Sequence, residues 1–263
     1  MFQQRYGHLE FCPSCGSQTK FYRIKARKYY KCSFCAFELY PLSGTIFHKS
    51  ETPLTKWFFA IFLFSNSKNG VSAKELERHL GVTYKTAWRI AKQIRRLMDE
   101  HNIDLSGIVE ADETYYGGRG KGWRGTRDKT PIIGAVERGG RVEARVVDYA
   151  TRRNAEQFIE EYVSPTAELH TDESKLYHHV SRKRTHQAIN HAKGEYKREH
   201  VTTNSIEGFW SQLKRSLDGT YHSVSPKYLP LYVSEFEYRY NHRHVAVLPL
   251  LMAAVSKPIR ETS

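Results

Sequence analysis

The sequence is short of acidic residues, has no cysteine after position 35 and has no apolar run long enough to cross a bilayer. Its 28 Asp and Glu residues stand against 41 Lys and Arg residues, which gives a formal net charge of +13. Such a deficit of negative charge favours a polyanionic partner, because Lys and Arg supply most of the non-specific affinity for phosphates. On charge alone, a merely basic soluble protein is the alternative. The longest apolar run, Trp57 to Phe64, is too short for a membrane span, so we expect no membrane partner.

The chain also lacks internal repeats and low-complexity tracts. Its first ten residues, MFQQRYGHLE, contain no apolar stretch of the kind found in signal peptides, so we expect a reducing, cytoplasmic location. A length of 263 residues suits two or three domains. The pattern of apolar and polar residues predicts short strands over 1–50, a helical domain over 51–104 and an α/β domain over 105–263.

The four cysteines form two CxxC pairs near the N-terminus. Cys12 and Cys15 belong to CPSCG, and Cys32 and Cys35 belong to CSFC. A CxxC turn directs two thiolates at one point, and two such turns complete the tetrahedron that Zn²⁺ accepts. The pattern predicts one structural Zn²⁺ ion with no open position for a substrate; a redox pair or an unusual thiol cluster is the alternative. The alternating segment between the pairs predicts a small hairpin.

The segment SAKELERHLGVTYKTAWRIAKQIRRLM predicts a helix-turn-helix. Ser72 and Glu75 form a capping-box pair, Gly81 ends the first helix, and apolar residues from Ala87 to Met98 predict a buried stripe on the second. The other side carries Tyr84, Lys85, Arg89, Lys92, Gln93 and Arg96. We expect this side to enter the major groove of double-stranded DNA, and a helical hairpin with a solvated basic face is the alternative.

Downstream lies a Gly- and Arg-rich segment, residues 117–129, with no apolar period. It predicts a mobile basic loop in which Arg119, Lys121 and Arg124 contact DNA. The stretch that follows predicts a hairpin at Gly139-Gly140 and then a helix that is N-capped by Thr151.

Three acidic residues lie where catalytic carboxylates would be placed. Asp112 is in the middle of a predicted strand, Asp172 ends another, and Glu207 is on a predicted helix. A carboxylate in mid-strand is costly unless a cation or a donor compensates it. Two aspartates on strands and a glutamate on a later helix suit a two-metal phosphoryl-transfer site, because hard divalent ions prefer oxygen ligands. Taken singly, each has a structural alternative: a loop-end carboxylate, a helix N-cap or a capping-box residue.

Other polar residues flank these three. The runner-up carboxylates are Glu110, Glu113 and Glu173. His170 shares its strand parity with Asp172, so it either lines the site or packs beneath it. Trp210 is expected to pack in the core.

Three blocks, together with both CxxC pairs, resemble a known family. ADETYYGGR, HTDESKLY and the long block that begins TTNSIEGFWSQLKRSL are similar to DDE insertion-sequence transposases with an N-terminal zinc ribbon, and the resemblance covers nearly the whole chain. It implies an RNase H-like catalytic domain with a mixed sheet and flanking helices. Asp112, Asp172 and Glu207 would hold two Mg²⁺ or Mn²⁺ ions. Lys214 would hold a DNA phosphate beside them, with Arg215 as a further DNA contact.

The resemblance also implies a reaction and partners. Such a protein binds the inverted-repeat ends of its element, as a homodimer or larger assembly, on the nucleoid of a prokaryotic cell. Activated water exposes a 3′-OH at each end, and the 3′-OH attacks target DNA by transesterification. The alternatives are a nuclease of the same fold, a DNA-binding regulator without activity and a zinc-ribbon protein that binds another protein.

Overall fold

The computed structural model describes residues 1–25, 27–100, 104–117, 129–172, 174, 176–177, 184–189 and 201–257. The predicted loop contacts Arg119, Lys121 and Arg124 lie outside the described residues, as does the runner-up carboxylate Glu173.

The N-terminal segment folds as the predicted small hairpin with one further strand. Its elements are helix α1 (Phe2–Tyr6) and the antiparallel strands β1 (Phe21–Ile24), β2 (Tyr29–Cys32) and β3 (Glu38–Leu39), in the order β1-β2-β3. Helix α1 was not predicted, because five residues carry too little periodicity to be recognised. Its Phe2 ring stacks on Tyr30 with 3.8 Å between centroids, which fixes the helix against the sheet.

The two predicted helices and their turn follow a buried helix. The elements are α2 (Leu54–Asn66), α3 (Ala73–Leu80) and α4 (Tyr84–Leu97). The Ser72 side chain accepts a hydrogen bond of 3.1 Å from the Glu75 N–H, as a capping residue does. Gly81 takes a left-handed conformation with φ of 55°, which ends α3 and turns the chain into α4. Trp57 is fully buried, as expected of a core residue.

A five-stranded mixed sheet forms the centre of the molecule. Its strands are β4 (Ile108–Tyr116), β5 (Thr130–Glu137), β6 (Val142–Val146), β7 (Glu168–Asp172) and β8 (His186–Ile189), in the order β6-β5-β4-β7-β8. The first three are antiparallel to one another, whereas β7 and β8 run parallel to β4. This is the RNase H-like arrangement that the resemblance implied. The turn between β5 and β6 contains Gly139 with φ of 75°, as predicted.

Helices cover both faces of this sheet. One face packs on α5 (Arg152–Tyr162), which Thr151 caps as predicted, and the other packs on α6 (Asn204–Ser216) and α7 (Leu229–Asn241). A short π-helix, Leu217–Tyr221, continues α6, and α8 (Val247–Ala254) follows α7. None of the helices in the described ranges has the length and apolar character needed to cross a bilayer.

The C-terminal helices pack against the helical N-terminal half as well as the sheet. Tyr238, Leu251 and Val255 belong to the same buried cluster as the apolar residues of α2, α3 and α4. The core of residues 54–98 is therefore completed by the end of the chain, beyond the predicted boundary near residue 104.

A buried ion cluster joins α4 to α7. Glu235 is fully buried and accepts hydrogen bonds of 2.7 Å from both Arg95 and Arg239, and Tyr221 donates to it at 3.0 Å. Burial alone would raise the pKa of Glu235, but the two guanidinium groups hold it below its ordinary value. The cluster fixes the orientation of the helix-turn-helix relative to the central sheet, because each charge depends on the others for compensation.

Glu235→Ala is expected to lower the free energy of unfolding by about 3–5 kcal/mol, since it leaves two buried guanidinium groups without their counter-charge. Urea unfolding would measure the change. Glu51→Ala, at a side chain that is 99% exposed, should change it by less than about 0.5 kcal/mol. An equal effect of the two substitutions would contradict the structural role of the cluster.

Candidate active site

Two parallel strands bring Asp112 and Asp172 to the edge of the sheet that is formed by the carboxyl ends of β4 and β7. In the pairing of β4 with β7, Glu110 lies opposite His170. Asp112 and Asp172 each lie two residues further along, so they leave the sheet on the same face and next to each other. Asp172 is the last residue of β7, at the carboxyl end of the strand.

Glu113 joins these two aspartates in a tight group. One carboxylate oxygen from each of Asp112, Glu113 and Asp172 lies within 4.8 Å of the others. The Glu113 Oε2 atom is buried and accepts no hydrogen bond of ordinary geometry among the described residues, although the buried Tyr177 hydroxyl, likewise unpartnered, lies close to Glu113. A buried carboxylate oxygen that faces like charges and lacks a well-placed donor is costly, and a hard divalent cation would satisfy it. The donor set therefore fits such an ion.

Burial and mutual repulsion raise the pKa values of Asp112 and Glu113. Burial raises the pKa of Asp112 to about 6, and the charges of Asp172 and Glu207 add to the shift. Burial and the charges of Asp112 and Asp172 raise the pKa of Glu113 to about 7. The protein thus holds Asp112 and Glu113 where ionising both is unfavourable until positive charge arrives.

Trp210 fixes Asp112 from the opposite helix. Its indole Nε1–H donates to Asp112 Oδ2 at 3.1 Å, and its ring lies over Gly134, the residue that pairs with Asp112 across β4 and β5. A Cβ atom at Gly134 would lie only 2.6 Å from the ring, so this glycine gives the indole its space. The predicted core role of Trp210 is confirmed, since it is 4% exposed, and the hydrogen bond is an additional role.

Glu207 lies on the first turn of α6 and faces solvent. Among the described residues it is outside the tight group, although its charge is near enough to raise the pKa of Asp112. Thr203 Oγ1 donates to Glu207 Oε1 at 2.8 Å. Glu207 does not form the capping box that was its structural alternative. Asn204, three residues before it, is already helical, and the N-cap residue is Thr203.

Two cavities lie between the carboxyl end of β4 and the start of α4. Lys214 is exposed and lines a cavity of about 870 Å³ together with Tyr115, Lys129 and His222. Residues 222–224 also line a second cavity of about 510 Å³, whose far wall includes Tyr84 at the start of α4. The two cavities have residues 222–224 in common, and no proposed triad residue lines either of them.

The predicted DNA contacts on α4 differ in their surroundings. Tyr84 and Lys85 are exposed, whereas Arg89 donates to the His48 and Lys49 carbonyl oxygens. Lys92 lies over the rings of Trp88 and Tyr228, the Gln93 Oε1 atom is buried, and Arg96 is half-buried. The exposed end of α4 is therefore its N-terminus. On α6, Arg215 is exposed and its Nε–H donates to the Ser211 carbonyl oxygen at 3.3 Å.

The four cysteines converge on one point. Their Sγ atoms lie within 4.8 Å of one another, and those of Cys12 and Cys35 are 3.6 Å apart, too far for a disulfide. The Ser14 and Phe34 N–H groups each point at a cysteine sulfur at 3.4 Å. Four thiols in this arrangement fit a closed tetrahedral zinc site.

Sequence reasoning ranked Glu113 below its neighbour. Strand alternation places Glu113 and Asp112 on opposite faces of the sheet, and the resemblance to the transposase blocks indicated Asp112. In the structure both side chains nevertheless bring a carboxylate oxygen within 4.8 Å of one of Asp172. The acidic pair itself was the available signal, because adjacent carboxylates on a buried strand are costly without a cation.

Known proteins match this chain over most of its length. Residues 104–241 match the model of the ISXO2-like transposase domain, and residues 1–37 match the transposase zinc-ribbon domain. An uncharacterized protein in the transposable element ISH50 of Halobacterium salinarum is 27% identical over 261 residues, which cover 90% of this chain and 87% of that protein.

Two solved structures illustrate more distant likeness. The catalytic core domain of HTLV-2 integrase in complex with magnesium is 14% identical, with a TM-score of 0.32 over 54% of this chain and 89% of that one. The Mos1 strand transfer complex is 11% identical, with a TM-score of 0.24 over 78% of this chain and 79% of that one.

Asp112→Asn should stabilise the metal-free protein at pH 8 by at most about 3 kcal/mol, because it removes a buried charge but keeps an oxygen for the Trp210 N–H. The pKa of Asp112 is raised in the folded state, so its ionisation costs stability as pH rises. The gain should therefore roughly halve at about pH 5. Urea unfolding of zinc-loaded protein without Mg²⁺ or Mn²⁺ would measure it, and a loss of stability at pH 8 would contradict the repulsion.

Proposed function

Because this chain belongs to the ISXO2-like transposase family, we propose that it binds the inverted-repeat ends of its element, hydrolyses a phosphodiester at each end and joins the 3′-OH ends to target DNA. The observation that carries this proposal is the group of Asp112, Glu113 and Asp172, with its unsatisfied buried oxygen, beside the helix that bears Glu207. That arrangement suits divalent cations and phosphoryl transfer better than any other chemistry the site offers.

The triad Asp112, Asp172 and Glu207 would hold two Mg²⁺ or Mn²⁺ ions. When bound, the ions supply activation of the attacking oxygen and stabilisation of the leaving oxygen. Trp210 orients the Asp112 carboxylate through its N–H, and Thr203 restrains Glu207 until the site is loaded. Glu113 contributes a fourth carboxylate at the same edge. Water and then a DNA 3′-OH are the nucleophiles, so no protein side chain becomes covalently linked to DNA.

The surface that contains these two cavities would carry the DNA end from the helix-turn-helix towards the triad. Lys129 and Lys214 line one cavity and offer cations for phosphates, Tyr84 lines the other, and Lys85 beside it is exposed. The net charge of +13 predicts affinity that falls steeply with salt. The remaining proposed contacts are Arg89, Lys92, Gln93, Arg96 and Arg215, with Arg119, Lys121 and Arg124 outside the described residues.

The ribbon would hold one structural Zn²⁺ ion on Cys12, Cys15, Cys32 and Cys35, with no part in the chemistry. We place the protein on the nucleoid of a prokaryotic cell, acting as a homodimer or larger assembly on DNA. Joining both ends of one element requires either two active sites or one active site used twice. A homodimer or larger assembly on DNA supplies two active sites.

Glu207→Gln is expected to abolish cleavage and joining while leaving end binding nearly unchanged, because it removes a metal-binding charge from an exposed position. The test uses a DNA fragment with the inverted repeats that flank the gene, with Mg²⁺ or Mn²⁺ supplied or omitted. Products would be resolved by gel electrophoresis. The matched control is Glu51→Gln, which removes an exposed carboxylate remote from the sheet.

The proposal requires metal-dependent insertion by the wild type and by Glu51→Gln only. Cleavage by the wild type without joining would instead identify a nuclease of the same fold. Specific binding without products, in a zinc-loaded and folded sample, would identify a DNA-binding regulator. Full activity of Glu207→Gln would remove Glu207 from the triad.

A further inference from the structure

A buried polar network lies directly beneath the candidate active site. Its centre is Glu110 on β4, which is fully buried. One carboxylate oxygen of Glu110, Oε1, accepts from Arg138 Nε at 3.1 Å and from Arg138 Nη2 at 2.9 Å. Arg138 follows β5 and is about one-third exposed, so the ion pair lies at the margin of the core. A buried Glu with a two-point contact to Arg is held in one position.

The second oxygen of Glu110 caps helix α6. Oε2 accepts from the backbone N–H groups of Ser205 at 2.7 Å and Ile206 at 3.3 Å. The N-cap residue Thr203 makes no side-chain capping bond. Glu110 therefore serves as the cap from a neighbouring strand, and its negative charge faces the positive end of the helix dipole. The position of the first turn of α6 thus depends on β4.

Arg138 extends the network to β7. Its Nη2 lies 3.2 Å from His170 Nδ1, and His170 Nε2 lies 3.0 Å from Glu168 Oε1. Because an arginine only donates, Nδ1 must accept, and the imidazole proton is then on Nε2 and directed at Glu168. His170 is 1% exposed, so it lies under the site and does not line it.

Each of the three elements that carry a proposed triad residue also carries a residue of this network, two positions earlier in the sequence. Glu110, His170 and Ser205 each come two residues before Asp112, Asp172 and Glu207 respectively. On a strand, residues two apart point to the same face, so Glu110 lies directly behind Asp112 and His170 behind Asp172. Ser205 and Glu207 share the first turn of α6.

We propose that Glu110 is a positioning residue that sets the separation of the three carboxylates through Arg138, His170 and the first turn of α6. The inference rests on the proposed function, since the separation matters only if the triad binds metal. In Glu110→Gln the charge is lost and the single amide oxygen cannot accept from both Arg138 and the α6 N–H groups, so Glu207 is no longer held at a fixed distance from Asp112. Groups that orient metal ligands typically change metal affinity or activity by about 10–100-fold when removed.

The test compares Glu110→Gln with Glu143→Gln in zinc-loaded, full-length protein. Glu143 is also a fully buried glutamate of this sheet with an arginine partner, Arg145, but its described contacts include none of the three triad-bearing segments. Mn²⁺ binding without DNA would be measured by calorimetry, and cleavage of the end fragment would be measured across Mg²⁺ concentrations. Circular dichroism and end binding would report whether each variant is folded.

Glu110→Gln should weaken Mn²⁺ binding by about 10-fold or more and raise the Mg²⁺ concentration for half-maximal cleavage, with end binding retained. Glu143→Gln should leave both values within about twofold of the wild type. The double variant Glu110→Gln/Arg138→Gln removes the unpaired charge, so it should recover stability but not metal affinity.

Two results would overturn the inference. One is a Glu110→Gln protein with wild-type Mn²⁺ affinity. The other is recovery of metal affinity in the double variant, which would make Glu110 only a counter-charge for Arg138. If the wild type itself bound no Mn²⁺ and made no products, the proposed function would fail instead, and the two failures are thereby distinguishable.

Discussion

Repulsion between carboxylates at one edge of the central sheet is the constraint around which this fold is arranged. Asp112, Glu113 and Asp172 approach one another closely enough for burial and like charge to raise the pKa values of Asp112 and Glu113. Such a group weakens a fold that has no cation to place there. The surrounding structure offsets this cost through apolar packing on both faces of the sheet and through hydrogen-bond donors such as the Trp210 indole.

Two buried ion clusters make the site part of a single rigid arrangement. Glu110 ties β4 to the N-terminus of α6, and Glu235 ties the helix-turn-helix to α7. Each cluster contains a fully buried carboxylate that accepts from arginine, so neither segment can move without leaving charge unsatisfied. In the proposed function, reading of the DNA end and chemistry at that end are coupled through this frame.

The sequence predicted the elements that have strong local signals. The Ser72 cap, the Gly81 stop, the hairpin at Gly139 and the strands that carry Asp112 and Asp172 all depend on neighbouring residues, and the structure contains them. Long-range partnerships could not be predicted in this way. Capping of α6 by Glu110, across about a hundred residues of sequence, depends on how β4 meets the helix in three dimensions. The same holds for the space that Gly134 leaves for Trp210 and for the completion of the helical core by Leu251.

The most direct test of the account is anomalous diffraction from crystals of the protein with its end DNA and Mn²⁺. The account predicts two peaks roughly 3.5–4 Å apart. Both should lie within bonding distance of carboxylate oxygens of the proposed triad, Asp112, Asp172 and Glu207. Peaks that avoid Asp112, or an ordered DNA end with no peak at this edge of the sheet, would contradict it.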